Sequence, residues 1–569
     1  MALRLKYQIE QVVPCELDES QITKANSPVI THKVVQTAKE AGGTQYRPCV
    51  VYCLLVCKRW FERQAALELW DADLHNGRAV ACEVIGKQII ESEEDQVYLM
   101  QDVLLKRYSI FCNQEETTPS NVVERAVDLH ALWVIGSSGY QKCINHLWRG
   151  WLHQDDLDPS KFVEYKQKTS TSYWDHLNPD RMRVPLYQNS VQIFFSVLYL
   201  ALYTGAVNTM NSTGDLDLVE GILYLMTAGF IFEEVAKFWK VGRHYFGFWN
   251  AFNSTLYVLL TVSFVIRLIA LSYPLGDERR VRNQLSYNFF AFSAPMFWMR
   301  LLLYLDSLRF FGSMMVIIKV MMKESLIFFA LLIVVVIGFF QAFVGLDQVD
   351  FNQDDTFFIF QAMANAVMQS PDFDGFDNFQ PPFGLILYYL FTFVVMVILL
   401  NVLIALYNSA YENVTSNATD EYMALFAHKT MQFARAPDEN VFIAPFNLIE
   451  IFCLVLPFEW WMDAHRYERL NNYVMGVIYF PLLCITAFVE ARQAKTVRMN
   501  RKRGEEDDDT TEEWEELEGE LDLEGEGWDK KVELSRPEVE VDAAVVEIKE
   551  LKSQVKELRE MIQGLKDAA

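Results

Sequence analysis

From Glu324 to His428 the sequence contains no lysine or arginine, and residues 184–214, 325–346 and 378–411 hold no charged side chain of either sign. These gaps exclude a purely soluble enzyme, because a water-exposed surface needs charge throughout. Cysteine is absent from residue 144 to residue 452, so no disulfide framework is expected across that half of the chain. Base is scarce overall. Lys plus Arg total 50 against 75 Asp plus Glu, a net charge of −25, which argues against a nucleic-acid partner. The opening MALRLKYQIE lacks the apolar core of a signal peptide, so a cytosolic amino terminus is expected. No repeat of about 33 residues is evident, which leaves ankyrin repeats out.

What fills the gaps is apolar. Hydrophobic residues make up 51% of the 569, with 41 Phe. A bilayer core of ~30 Å takes about 20 apolar residues as a helix. Six segments qualify: Leu186–Val207, Leu218–Trp239, Phe248–Leu271, Tyr287–Leu305, Ser325–Phe343 and Phe383–Tyr411. The uncharged residues 378–411 would be about 51 Å long at ~1.5 Å per residue, so the last helix is expected to project beyond the membrane. Basic residues flank the ends that orientation rules place in the cytosol: Arg181 and Arg183 before span one, Lys237, Lys240 and Arg243 after span two, and Arg309, Lys319 and Lys323 after span four. Arg279, Arg280 and Arg282 break this pattern mildly. Residues 1–183 read as a cytosolic helical domain, in which Cys49, Cys53 and Cys57 form one helix stripe of buried type.

The segment between spans five and six carries seven aspartates within residues 341–380: Asp347, Asp350, Asp354, Asp355, Asp372, Asp374 and Asp377. Inside it lies Thr356–Met368, apolar and too short to span, followed by Gln369-Ser-Pro-Asp-Phe-Asp-Gly-Phe376. A long helix, a half helix, an acidic turn and a second long helix outline an ion pore. Irregular backbone at membrane depth is tolerated only where it is buried or lines water. A cation leaving water needs replacement oxygens and a negative field. Asp372 and Asp374 supply the field, and the carbonyls of Phe373 and Gly375 supply oxygens; these four residues are the candidate selectivity filter. One copy cannot enclose a path, so several chains, four by expectation, must ring it.

The inner helix reads Leu399-Leu-Asn-Val-Leu-Ile-Ala-Leu-Tyr-Asn-Ser-Ala-Tyr411, and Gln432-Phe-Ala-Arg435 and Ala444-Pro-Phe-Asn447 follow. This resembles the sixth helix and post-pore segment of transient receptor potential (TRP) channels, most closely the fungal vacuolar members, over roughly residues 186–526. The resemblance implies an all-α membrane protein with six transmembrane helices, a voltage-sensor-like four-helix domain and a pore domain, assembled as a homotetramer. It places the cytosolic constriction at Ile404, with Asn408 one turn on as a second ring. It also implies a regulatory calcium site built from Glu234, Asn250 and Asn253 with help from Glu233. Lys237 and Asn253 depart from the family pattern there, both by removing negative charge. The competing reading is a Glu233–Lys237 pair at i, i+4, with the asparagines bonding neighbouring helices.

Span four contains only Arg300, so weak voltage dependence is expected. After the pore, Val441–Trp461 and Tyr473–Val489 read as membrane-surface or buried helices rather than crossings. Arg492–Arg503 has six bases, and Glu505–Glu526 has 14 acids in 22 residues, among them Asp507, Asp508 and Asp509, a second candidate calcium site. The expected lipid contacts are Arg181, Arg183, Lys240 and Arg243, with phosphoinositides as the lipid class. Val541, Ala544, Ile548, Leu551, Val555, Leu558, Ile562 and Leu565 alternate three and four apart, a coiled coil.

The expected division is thus 1–183 (cytosolic helical domain), 184–308 (four-helix domain), 309–411 (linker and pore), 412–491 (post-pore segment), 492–540 (basic then acidic tail) and 541–569 (coiled coil). The function expected is a calcium-permeable non-selective cation channel of a vacuolar membrane, passing Ca2+, K+ and Na+, with both termini cytosolic, Ca2+ as regulator and no organic cofactor. No nucleophile–base pair or phosphate loop points to an enzyme. The alternatives are a secondary transporter, for which repeated broken helices are lacking, and a non-conducting scaffold.

Overall fold

The computed structural model describes residues 1–24, 27–112, 115–155, 161–209, 215–241, 248–304, 309–348, 356–373, 376, 379–435, 442–459, 461–509 and 527–535. They fall into two units, Met1–Arg498 and Met499–Ala569.

Helices Val50–Leu67 and Ala72–Glu91 form the pair around which the N-terminal region is built. Val50, Val51, Leu54, Leu55, Phe61 and Ala65 lie buried at helical spacing on the first, and Ala81, Val84, Ile85 and Ile89 answer on the second. Ala2–Val12 packs on this pair through Leu5 and Ile9. Lys58 Nζ meets Glu83 at 3.0 Å with both side chains buried, so neither charge is left uncompensated. Asn121 caps helix Val122–Asp128 in a reciprocal box with Glu124. Two small antiparallel pairs, Phe111–Cys112 with Glu115–Glu116 and Leu152–Gln154 with Phe162–Glu164, are the strands among the described residues.

Pro185 opens the first membrane helix, Pro185–Asn208, at a position where its missing N–H costs nothing. Leu218–Val241 and Phe248–Leu271 follow. The expected fourth span is divided at Ser293 into Asp277–Phe292 and Ala294–Tyr304. Tyr199, Tyr203, Phe230, Tyr257 and Phe297 fill the middle of this bundle, with Tyr203 stacked on Phe297 at 3.8 Å. Arg267 is paired with Glu220 at 3.1 Å in the same bundle. Among the described residues four helices are long and apolar enough to cross a membrane by length and composition, Pro185–Asn208, Asn250–Leu271, Phe310–Asp347 and Phe383–Glu412, and the bent pair Arg466–Ile478 and Phe480–Arg503 would make a fifth if it counted as one span. The second expected span carries Glu220, Glu233, Glu234 and Lys237, which keeps it out of that set.

Linker and fifth span are one helix, Arg309–Asp347. Its outer face stays bare: Leu326, Ile327, Val334 and Ile337 are 59% or more exposed in the single chain, a surface made for lipid or for another copy. The inner helix runs from Phe383 to Ser416, with a π-helical stretch at Phe393–Leu399. It begins against Phe379, where a Cβ on Gly384 would lie 2.2 Å from the Phe379 carbonyl oxygen, so only glycine fits.

Helix Ala418–Arg435 follows at once and inserts Ala424, Ala427 and Met431 into the N-terminal core. Arg435 fastens its end to Asp128 at 2.9 Å and to the Glu124 carbonyl at 3.2 Å. Beyond it, Ala464–Ile478 and Phe480–Arg503 meet at a bend of 84°. In the second unit, Arg501 holds Asp507 at 2.7 and 2.8 Å, Asn500 Nδ2 donates to the carbonyls of Glu506 and Asp509, and a short helix spans Trp528–Ser535. The expected coiled coil and most of the acidic tail lie outside the described residues.

Candidate functional site: the pore segment

The short helix Thr356–Val367 buries Ile359, Ala362, Met363 and Ala366. The i, i+3, i+4, i+7 spacing puts all four on one face. That face packs into a cluster with Phe343 of the long helix and Tyr388, Phe391 and Val395 of the inner helix. The helix starts on Asp347, whose carboxylate accepts from Thr356 Oγ1 at 3.0 Å. Asp347 is 3% exposed, so of the seven aspartates within residues 341–380 it serves as the anchor of the short helix. The C-terminal end of the helix, with its partial negative charge, leads through Gln369 into Pro371-Asp372-Phe373.

Asp372 is exposed, and its backbone N–H donates to Tyr388 Oη at 3.2 Å. Phe373 stacks on Tyr389 at 4.8 Å and meets Tyr388 edge-on at 5.2 Å. Asp374 and Gly375 lie outside the described residues, as do Asp350, Asp354, Asp355 and Asp377. Phe376, beyond the filter stretch, is fully buried and stacked on Tyr388 at 4.2 Å. Sequence reasoning missed Tyr388. The available signal was a hydroxyl inside an otherwise apolar run, since a buried tyrosine needs a partner.

Lower on the inner helix, Ile404 is 49% exposed and Asn408 one turn on is exposed as well. Ile398 and Val402 are similarly bare, at 47% each. Ile404 and Asn408 thus share one bare face, while Ile398 and Val402 lie on other sides of the helix, about 120° and 160° round from Ile404 at ~100° per residue.

At the second candidate site, Glu233 is bonded to Lys237 at 2.5 Å, the pairing that competes with a calcium ligand role. Asn253 Oδ1 is buried without a hydrogen-bond partner, so one oxygen remains to be satisfied there. Glu234 and Asn250 sit on the two adjoining helices and each has a partner. Among the described residues no three His, Cys, Asp or Glu side chains cluster in a way that could hold a metal. Asp507 is committed to Arg501, while Asp509 Oδ2 accepts the Glu506 N–H at 3.0 Å. Arg300 is seated against Phe230 at 4.1 Å and Tyr257 at 5.2 Å and donates to Tyr304 at 3.1 Å.

The lipid expectation is corrected at Arg181. The residue is 5% exposed, and its guanidinium bonds Glu490 at 2.6 Å and the Gly150 carbonyl at 3.0 Å while lying over the Tyr165 ring at 4.0 Å. Glu490 also accepts from buried His176 at 3.0 Å. Arg181 is thus a structural cation and not an open headgroup contact. Arg183 bonds Asp180 at 3.0 Å and Asn472 at 3.2 Å beside a cavity of about 600 Å³ that Tyr165, Glu450, Tyr467 and Asn471 also line. Lys240 lies at the end of helix Leu218–Val241, and Arg243 is outside the described residues.

Residues 195–491 match the family described as calcium channel YVC1-like, C-terminal, and residues 1–177 match the TRPY1 N-terminal linker helical domain. The chain belongs to the YVC1-like calcium channels. It is similar to calcium channel YVC1 of Candida albicans, 42% identical over 516 residues, covering 89% of this chain and 76% of the relative. It is likewise similar to calcium channel YVC1 of Saccharomyces cerevisiae, 40% identical over 523 residues, covering 89% and 77%. A solved structure described as PI3P and calcium bound full-length TRPY1 in detergent matches with a TM-score of 0.75 and 34% identity, over 95% of this chain and 98% of the other. The TRP-channel resemblance read from the inner helix is thereby borne out, and so is the helical channel fold. YVC1-like proteins are ion channels and not an enzyme class.

Proposed function

We propose that four copies of this chain form a calcium-permeable, non-selective cation channel of the vacuolar membrane that releases Ca2+ to a cytosol in which both termini lie. Its work is conduction and not catalysis. The observation that carries the reading is the short helix Thr356–Val367 lodged between two long apolar helices, with exposed Asp372 immediately after it. Asp372, Phe373, Asp374 and Gly375 form the filter, where carboxylates concentrate cations and carbonyls replace their water. Ile404 and Asn408 form the cytosolic constriction, and a ring of branched apolar side chains closes it by dewetting.

The same division into six segments, 1–183, 184–308, 309–411, 412–491, 492–540 and 541–569, is proposed for the assembled channel. Cytosolic Ca2+ and phosphoinositides modulate it. The support is the calcium- and PI3P-bound state named for the similar TRPY1 structure, together with the unsatisfied Asn253 oxygen, one turn from Asn250 on the helix that follows the one carrying Glu234. Arg183, Lys240 and Arg243 remain as headgroup contacts. Asp507, Asp508 and Asp509 collect Ca2+ only by exchanging the Arg501 bond for the ion.

Planar-bilayer recording of the reconstituted full chain tests this. Unitary steps of several picoamperes are expected, with a Ca2+ preference that falls in Asp372→Asn and Asp374→Asn. Wild-type conductance and ionic preference in the double variant would sink the filter assignment.

A further inference from the structure

The filter reading above leaves open what holds the filter backbone in place, and the following rests on that reading. Tyr388 is fully buried on the inner helix. Its hydroxyl donates to the Ala362 carbonyl of the short helix at 3.2 Å and accepts the Asp372 N–H at 3.2 Å. One donor and one acceptor function are thus used, on two different elements. The ring is equally committed. Phe376 stacks on it at 4.2 Å with an interplanar angle of 15°, and Phe373 meets it edge-on at 5.2 Å. Tyr388 therefore touches the filter stretch at 372 and 373 and the chain again just past it at 376.

The hydrogen bond also fixes a direction. The Pro371–Asp372 peptide is trans, since the cis bonds in the chain lie elsewhere. In a trans peptide the N–H and C=O point opposite ways. An N–H aimed at the buried Tyr388 hydroxyl turns the Pro371 carbonyl away from that hydroxyl, and Asp372 itself is exposed.

We infer that Tyr388 is the positioning residue of ion selection: its hydroxyl locks the Pro371–Asp372 peptide plane to the short helix, so that the Pro371 carbonyl and the Asp372 carboxylate are both presented to permeating cations. The bond length to a cation is set by such fixed oxygens, and a Ca2+ ion binds its oxygens at ~2.3–2.6 Å. Loss of the lock frees the peptide to rotate, which weakens divalent coordination more than monovalent passage.

The experiment uses the full-length channel in planar bilayers with Ca2+ on one side and K+ on the other, read as reversal potential. Tyr388→Phe keeps the ring and removes only the hydroxyl. The Ca2+ to K+ permeability ratio is expected to fall about threefold or more, the scale of one lost hydrogen bond. A general loss of packing does not move that ratio in channels that still open. The paired control is Asp372→Asn with and without Tyr388→Phe. If the two act through one site, the double variant is no worse than Asp372→Asn alone. A Tyr388→Phe channel with the wild-type ratio, beside an Asp372→Asn channel with an altered one, overturns the Tyr388 role and leaves the filter reading standing. An unaltered ratio in Asp372→Asn overturns both. Should Tyr388→Phe fail to assemble, amide hydrogen exchange on the wild-type tetramer decides: slow exchange at the Asp372 N–H is expected, and exchange as fast as an exposed loop overturns the lock.

Discussion

Asn447 donates its side-chain N–H to the Gly229 carbonyl at 2.6 Å, across 218 residues of chain. The contact is tight on both sides. A Cβ at Gly229 would lie 2.9 Å from Asn447 Oδ1 and 3.0 Å from the Ala444 Cβ. The Ala444-Pro-Phe-Asn447 motif is thus a plug seated on the second membrane helix.

Replacing Asn447 by Ala leaves the Gly229 carbonyl without this donor at a buried position. A loss of about 1–3 kcal/mol is expected, read as a lower melting temperature of the detergent-solubilised channel. Gly229→Val should match or exceed it, because the added side chain meets the same atoms.

Glu490 serves two buried partners, the Arg181 guanidinium and the His176 imidazole. Glu490→Gln strands a guanidinium, and a destabilisation of about 3–5 kcal/mol is expected. The double variant Arg181→Met with Glu490→Leu removes both charges and should recover part of it, as thermal unfolding of each protein will show. A double variant less stable than Glu490→Gln contradicts the ion-pair account.

His428 sits on the post-pore helix where burial, and then nearby Lys319 and Arg435, hold its imidazole below the ordinary value of 6.5, while Asp128 pulls the other way. The folded chain therefore refuses a proton that the unfolded chain accepts. Stability is complete above 6.5 and declines as the pH falls from there toward the lower folded value, with a shallow slope because the side chain is partly open to solvent. Denaturant midpoints measured across this window should slope in the wild type and flatten in His428→Gln.

Cys49 is half-buried, and a hydrogen bond from Cys53 stabilises its thiolate, bringing its pKa down to about 7. The rate of alkylation at Cys49 should rise with pH to half its maximum near that value. In Cys53→Ala the midpoint should move up toward that of an ordinary thiol. An unchanged midpoint removes Cys53 from the explanation.

The membrane plan was readable because uncharged runs of 22 to 34 residues have few alternatives to a span. The third segment, Phe248–Leu271, coincides with its helix end to end. The fourth does not, because hydropathy carries no record of the break at Ser293, whose hydroxyl donates to the Phe290 carbonyl at 2.7 Å. Glu233 and Lys237 were legible as a pair since their separation is local. Arg181 was misread for the opposite reason. Its partner Glu490 lies 309 residues away, and a basic residue before a span looks the same in sequence whether it faces headgroups or a buried carboxylate. The pairing of Glu220 with Arg267, 47 residues apart, was missed on the same ground.

The helix after the pore ends up inside the amino-terminal core, where Ala424, Ala427 and Met431 are 5% exposed or less. The inner helix, which ends at Ser416, is therefore joined to the amino-terminal core through the helix Ala418–Arg435, which can act as a lever between them. Anything that binds the amino-terminal domain more tightly in one position of that lever shifts the conducting equilibrium by the same free energy, and ion occupancy of the pore must be felt, reciprocally, at the surface of that domain.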